Sequence, residues 1–357
     1  MTKKKILFIC GSINQTTQMH QIARALPEYE NWFTPYYADG FEKMFIHAGL
    51  AEMTVMGNKL VQRCLAYLHQ HNLPIDNRGI KHDYELVVTC SDLIVQQNIR
   101  HKKIILVQEG MTDPENLVFH LVKTLPFLPR WIAGTSTNGL SQAYQKFCVA
   151  SEGYRDLFIR KGVNPEKIIV TGIPNFDHCT QYYSNEFPHK NFVLVCTSDI
   201  RETLRYENRK KFIEDSLKIA NGRKLIFKLH PNENVARATQ EINQWASEAE
   251  VYHSGSAEHM IANCETLITR FSSTVYVGLA LDKEVYSDYP LEVLKKLTPI
   301  QNEGSSASNI AKIVRIEIEN GLLPKAYPKL KFLPKANFSP ALKRYSALLQ
   351  DRLRLIP

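Results

Sequence analysis

Short apolar runs recur along this chain, separated by longer amphipathic stretches, and that alternation constrains the fold more than any other feature. In the first half the runs are Ile6–Cys10, Leu86–Cys90, Ile104–Gln108, Phe147–Ala150 and Ile168–Thr171. In the second half they are Phe192–Cys196, Leu225–Leu229, Thr266–Thr269 and Glu284–Tyr286. Helical patterns fall between them at Thr17–Leu26, Lys59–His71, Asn208–Ala220 and Asn234–Ala249. Near-continuous apolar strands alternating with helices describe parallel sheets covered on both faces, an α/β class. The 357 residues suffice for two such domains. Asp177–His189 is polar, lacks periodicity and precedes a fresh strand, as a linker should. The expected boundaries are an N-terminal Rossmann-like domain at 1–178, a linker at 179–190 and a second Rossmann-like domain at 191–335. Ser339-Pro340 then opens a helix at 336–357, expected to cross back to the first domain. Two doubly wound sheets place a ligand in the crevice at their strand C-termini.

Charge is concentrated at one end. Of the net +8, residues 322–357 hold +7: Lys325, Lys329, Lys331, Lys335, Lys343, Arg344, Arg352 and Arg354 against Asp351. Such a segment attracts an anionic membrane or a phosphate-bearing acceptor, or is simply a solvated tail. Nucleic acid is not expected as a partner, because no recognition motif accompanies the charge. Leu125–Ile132 is apolar, aromatic and proline-broken, fitting a buried loop or a dip into a membrane interface. The seven cysteines are scattered, with no C-x-x-C pair. They read as small hydrophobes in a reducing, cytoplasmic setting, peripheral at the inner face of the membrane if the basic end binds lipid.

The chemistry belongs at the strand exits. The first exit, Cys10-Gly11-Ser12, offers close backbone approach and a hydroxyl to an acceptor, or is an ordinary capped turn. It is neither a dinucleotide fingerprint nor a Walker loop. After Ile104–Gln108 comes Glu109-Gly110. A carboxylate there suits a general base if partly buried; the competing reading has Glu109 capping its turn or pairing with Lys102. Leu225–Leu229 leads to His230-Pro231, and period-two spacing puts Lys228 and His230 on one side, where both can neutralise a departing phosphate. Ser272, Ser273 and Thr274 open a helix and can cradle phosphate, although capping needs only one of them. Thr197 and Ser198, after Phe192–Cys196, join the same donor-binding group. No Asp-x-Asp pair stands at a strand exit and the histidines are dispersed, so neither a metal nor a cofactor is expected.

These segments carry a resemblance. Lys146–Glu152 with Val170–Asp177 looks like the end of the first domain in UDP-GlcNAc 2-epimerases and many surface-polysaccharide glycosyltransferases. Leu267–Lys283 resembles CDP-glycerol glycerophosphotransferases. Gln108-Glu109-Gly110, His230-Pro231 and Ser272-Ser273 together resemble the motifs of bacterial sialyltransferases and the related Kdo transferases of capsule and lipopolysaccharide synthesis. The chain departs from the epimerases at Tyr276-Val277-Gly278 and from the glycerophosphotransferases at Arg270, Val277 and Glu109-Gly110. The resemblance implies a GT-B fold and an inverting, metal-independent glycosyltransferase. It implies Glu109 as base on the acceptor hydroxyl, His230 on the donor phosphate and Ser272 and Ser273 as phosphate ligands. The implied substrates are a nucleotide-sugar, with CMP the favoured nucleotide, and a glycan or lipid-linked acceptor.

Overall fold

The computed structural model describes residues 3–39, 57–125, 127–203 and 206–319. Contacts divide them into two units: one runs to His178 and resumes at Lys296, the other spans Cys179–Lys295. The expected helix at 336–357 and the basic segment 322–357 lie outside the described residues.

The first unit is built on β1 (Lys5–Cys10), β2 (Glu30–Pro35), β3 (Leu86–Thr89), β4 (Lys103–Val107), β5 (Lys146–Val149) and β6 (Ile168–Val170). All pairings are parallel, in the order β2-β1-β3-β4-β5-β6. Consecutive residues of the inner strands are buried, because helices cover both faces: Ile6, Leu7, Phe8 and Ile9 in β1 leave no exposed side. The covering helices are α1 (Ile13–Arg24), α2 (Asn58–Gln70), α3 (Leu117–Thr124) and α4 (Glu152–Lys161). Ser151 caps α4 by accepting from the Tyr154 amide, and Gly162 ends it at φ +110°, a left-handed stop that glycine takes without strain.

The second unit carries β7 (Val193–Cys196), β8 (Leu225–Lys228), β9 (Glu250–Tyr252), β10 (Thr266–Thr269) and β11 (Glu284–Tyr286), all parallel, in the order β11-β10-β7-β8-β9. Its helices are α5 (Arg209–Ala220), α6 (Val235–Trp245), α7 (Ala257–Asn263) and α8 (Thr274–Ala280). Val193, Val195, Phe227 and Leu229 form one face of the core with Ile213, Ala238 and Ile242. All seven cysteines are buried and unbridged.

β2 and β9 have no counterpart among the expected runs. Both are edge strands, and residues Glu30–Trp32 and all of β9 are only half-buried. A strand paired along one side is covered incompletely and needs no apolar run.

The chain also returns to the first unit earlier than expected. α9 (Leu291–Leu297) is followed by α10 (Ser306–Glu319). α10 places Ile310, Ala311, Ile313, Val314 and Ile318 in the cluster of Ile6, Phe8 and Met19. Residues 296–319, expected in the second domain, thus belong to the first, because their apolar helix face completes its core. Asp177 fixes this return: its side chain accepts from the Ser306 amide and its carbonyl from the Asn302 amide, each at 2.8 Å. The expected linker is not free either. Tyr183 donates to the Leu281 carbonyl at 3.3 Å, and Asn263 donates to Asn185 at 2.7 Å, so that segment packs within the second unit.

Gly172 makes the return possible. Its φ is +74°, and a Cβ there would lie 2.2 Å from Ser306 Oγ. Gly172→Ala combines about 1 kcal/mol of backbone strain with roughly 1–3 kcal/mol of overpacking. The denaturation midpoint of this variant should fall accordingly; an unchanged urea midpoint contradicts the packing account.

Candidate functional site

In the first unit the strand order reverses between β1 and β3, the switch point at which open α/β sheets take ligands. Ser12 follows β1 and caps α1, its Oγ accepting from the Gln15 amide at 3.2 Å. The same hydroxyl donates to Glu109 Oε1 at 2.5 Å, and Gln15 Nε2 donates to Glu109 Oε2 at 2.6 Å. Glu109 is therefore gripped by two neutral donors from the other side of the switch point. Gly11 is required for this grip: a Cβ at that position would lie 1.9 Å from Gln15 Oε1. Behind Glu109, Gln108 Nε2 donates to the Gly110 carbonyl and Gln108 Oε1 accepts from the Ala150 amide. Gln18 Nε2 donates to the Gln108 carbonyl at 2.8 Å. Lys102 pairs with Asp83, and among the described residues no cation pairs with Glu109. Burial raises the Glu109 pKa, opposed by the Ser12 and Gln15 hydrogen bonds.

In the second unit the reversal lies between β7 and β10. Thr197 and Ser198 leave β7; Arg270 to Ser272 leave β10. The His230 amide donates to Thr197 Oγ1 and to Glu233 Oε2, each at 3.0 Å, and Thr197 also donates to Glu233. Pro231 sits in the turn closed by the Glu233 amide on the His230 carbonyl. On the ring, Nδ1 accepts from the Asn232 amide at 3.3 Å and lies 3.6 Å from Asp199 Oδ2. With Nδ1 accepting from the Asn232 amide, the neutral ring carries its proton on Nε2, the donating nitrogen.

Charges pack densely behind this exit. Glu233 is buried and bonded to Arg209, which also binds Glu207. Glu207, itself buried, is shared with Arg201 at 3.3 Å and Arg270 at 3.5 Å. Arg270 continues to Asp288 at 2.6 Å. Ser272 Oγ lies 2.9 Å from Thr274 Oγ1 and accepts from the Thr274 amide, whereas the Ser273 side chain makes no cap bond. The hydroxyls of Ser198 and Thr269 and Nη1 of Arg209 are buried without a hydrogen-bond partner among the described residues. Buried polar groups are normally paired, and an unpaired set at a switch point suits an incoming anion.

The structure thus joins Ser12 to Glu109, Thr197 to His230 and Ser272 to Thr274. It does not join Lys228 to His230. β8 ends at Lys228, and its buried ammonium donates to the Leu229 carbonyl at 3.1 Å, its pKa lowered by desolvation. His230 is beyond the ladder, so strand parity no longer sets its direction. Gln15, Asp199, Glu233, Arg209, Arg270 and Thr269 were missed as site residues. Glu233 follows His230-Pro231-Asn232 in sequence, but nothing local distinguishes it from a solvated helix-start carboxylate. Among the described residues no three His, Cys, Asp or Glu side chains gather as a metal-ligand set.

The Glu109 environment has a consequence for stability. Below the ordinary carboxylate value of 4.5 both folded and unfolded chains carry its proton. As pH rises through the higher folded value, ionising the buried group costs stability. Glu109→Gln cannot ionise, so its melting temperature should fall less than the parent's between about pH 4 and about pH 8. Equal pH responses would remove the desolvation argument.

No family model and no curated relative matches this sequence. Solved structures do. A protein assigned as UDP-N-acetylglucosamine 2-epimerase from Listeria monocytogenes aligns with a TM-score of 0.58 at 13% identity, over 92% of this chain and 100% of that one. The UDP-GlcNAc 2-epimerase of Methanocaldococcus jannaschii, in complex with UDP-GlcNAc and UDP, aligns at 0.53 and 13% identity, over 87% and 99%. The H444N variant of the wall teichoic acid polymerase TagF aligns at 0.50 and 10% identity, over 89% and 90%. At these identities the likeness concerns the fold alone, and with the two parallel sheets it identifies this chain as a GT-B fold.

Proposed function

We propose that this protein is an enzyme of the GT-B type that transfers a sugar from a nucleotide-activated donor to a glycan or lipid-linked acceptor. The observation that carries the reading is Glu109: a desolvated carboxylate at a strand exit, held by Ser12 and Gln15 and, among the described residues, paired with no cation. That is the environment of a general base.

In the proposed reaction a carboxylate oxygen of Glu109 takes the proton of the acceptor hydroxyl. The acceptor oxygen attacks the anomeric carbon, a new C–O bond forms with inversion, and the bond to the nucleotide phosphate breaks. The electron pair leaves on the phosphate oxygen. His230 Nε2–H, the hydroxyls of Ser198, Thr269, Ser272 and Ser273, and Arg270 are the groups proposed to meet that charge. Thr197, Glu233 and Arg209 are positioning residues, fixing the backbone at His230. No metal enters this scheme. The resemblance to sialyl- and Kdo-transferases supports a cytidine nucleotide, with Kdo or sialic acid as the sugar.

A second reading is favoured by the structural likeness to UDP-GlcNAc 2-epimerases and TagF: epimerisation of UDP-GlcNAc, or glycerol phosphate transfer. A third is nucleotide-sugar binding without turnover. A thermal-shift panel of CMP, CDP, UMP, UDP and GDP comes first, and one base should raise the melting temperature selectively. His230→Ala should abolish that shift. Glu109→Ala should keep it while lowering kcat about 10²–10⁴-fold. Full kcat in Glu109→Ala would falsify the base assignment. NMR product analysis with UDP-GlcNAc and with CDP-glycerol separates the second reading, and nucleotide stabilisation with no product on any acceptor supports the third.

A further inference from the structure

No helix among the described residues is long and apolar enough to cross a membrane, yet one helix of the first unit is apolar on both sides. In α3, Phe119 and Val122 are buried in the unit. On its other side Leu117 is 82% exposed, Leu121 53% and Val118 also exposed. Their spacing, i to i+4 and i to i+3, puts these three on one stripe. The turn that follows exposes Phe127 at 78%, and Ile132 is exposed in the short helical segment packed against α3. Single exposed hydrophobes are ordinary; five on one helix and its adjoining turn mark an interaction surface.

The charges around this surface favour one occupant. Lys123 and His120 are exposed beside it, and Lys123 makes no ion pair among the described residues. The nearby acids are already engaged: Asp113 accepts from the amide and hydroxyl of Thr135, Glu115 lies 3.7 Å from Arg160, and Asp92 lies 3.3 Å from Arg130. Lys123 thus places a cation without an ion pair, among the described residues, at the border of the apolar stripe. The same chain carries +7 of its +8 charge in residues 322–357. An apolar insertion face combined with a polybasic segment is the two-signal arrangement that holds a protein on an anionic bilayer, where either signal alone binds weakly.

We propose that Leu117, Val118, Leu121, Phe127 and Ile132 seat this protein on the surface of an anionic membrane, the basic C-terminal segment adding electrostatic attraction. The proposal is independent of the donor and of the reaction. It is tested by flotation of the full-length chain with phosphatidylglycerol–phosphatidylcholine vesicles and with pure phosphatidylcholine vesicles. The chain should float with the anionic vesicles, not with the neutral ones, and high salt should weaken the binding. The variant L117S/L121S/F127S changes exposed side chains, so its melting temperature should match the parent's while its partition onto anionic vesicles drops at least tenfold. Charge reversal in full-length K329E/K331E/K335E should reduce binding at low salt. The proposal is overturned if the parent does not float, or if the triple serine variant binds like the parent. It is overturned equally if light scattering shows a parent dimer that the serine variant converts to a monomer, since a second copy then covers this face.

Discussion

Each half of this protein is governed by the need to bury an all-parallel sheet on both faces. Each parallel pairing needs a crossover connection, helical in most cases, so the strand exits collect along one edge. The interior strands are apolar from end to end, as β1 and β7 show. Few polar side chains lie within the strands, and those that carry the site meet at the C-terminal rim. Gly11, Ser12 and Glu109 are neighbours for this reason, although Ser12 and Glu109 are 97 positions apart in sequence. The same rule collects Thr197, His230 and Arg270 in the second unit.

The two rims treat charge in opposite ways. At Glu109 the desolvated carboxylate accepts from a hydroxyl and an amide and, among the described residues, pairs with no cation, so its proton affinity rises. At Glu207 and Glu233 the carboxylates are locked by Arg201, Arg209 and Arg270. A buried ion pair adds little net stability over an apolar replacement, yet removing one partner is costly. Such a network therefore holds geometry, here the backbone of His230 and the positions of the guanidinium groups. One rim leaves a carboxylate with raised proton affinity, and the other binds its carboxylates to guanidinium groups.

Particular residues show how far the sequence could be read. Runs such as Phe192–Cys196 and Thr266–Thr269 match the observed strands because burial on both faces leaves an unmistakable string of buried residues. β2 and β9 leave none, since an edge is covered on one side only. Lys228 and His230 looked like partners by strand parity, but parity ends with the ladder at Lys228. The return at 296–319 was hidden because an amphipathic helix does not say which core it completes; Ile310 and Val314 suit either unit by composition and are placed by the contacts of Asp177 and Gly172. Glu233 was invisible as a site residue because its partners, Thr197 and Arg209, are 36 and 24 positions away.

The sequence alone determined the α/β class, the doubling of the sheet and where most strands end, because periodicity and burial are local properties of a chain. Tertiary structure alone decided that Glu109 sits between Ser12 and Gln15, that Glu233 braces His230, and that α10 belongs to the first unit. Proton affinity, ion pairing and core membership all depend on distances between residues far apart in sequence, and only the folded chain sets those distances.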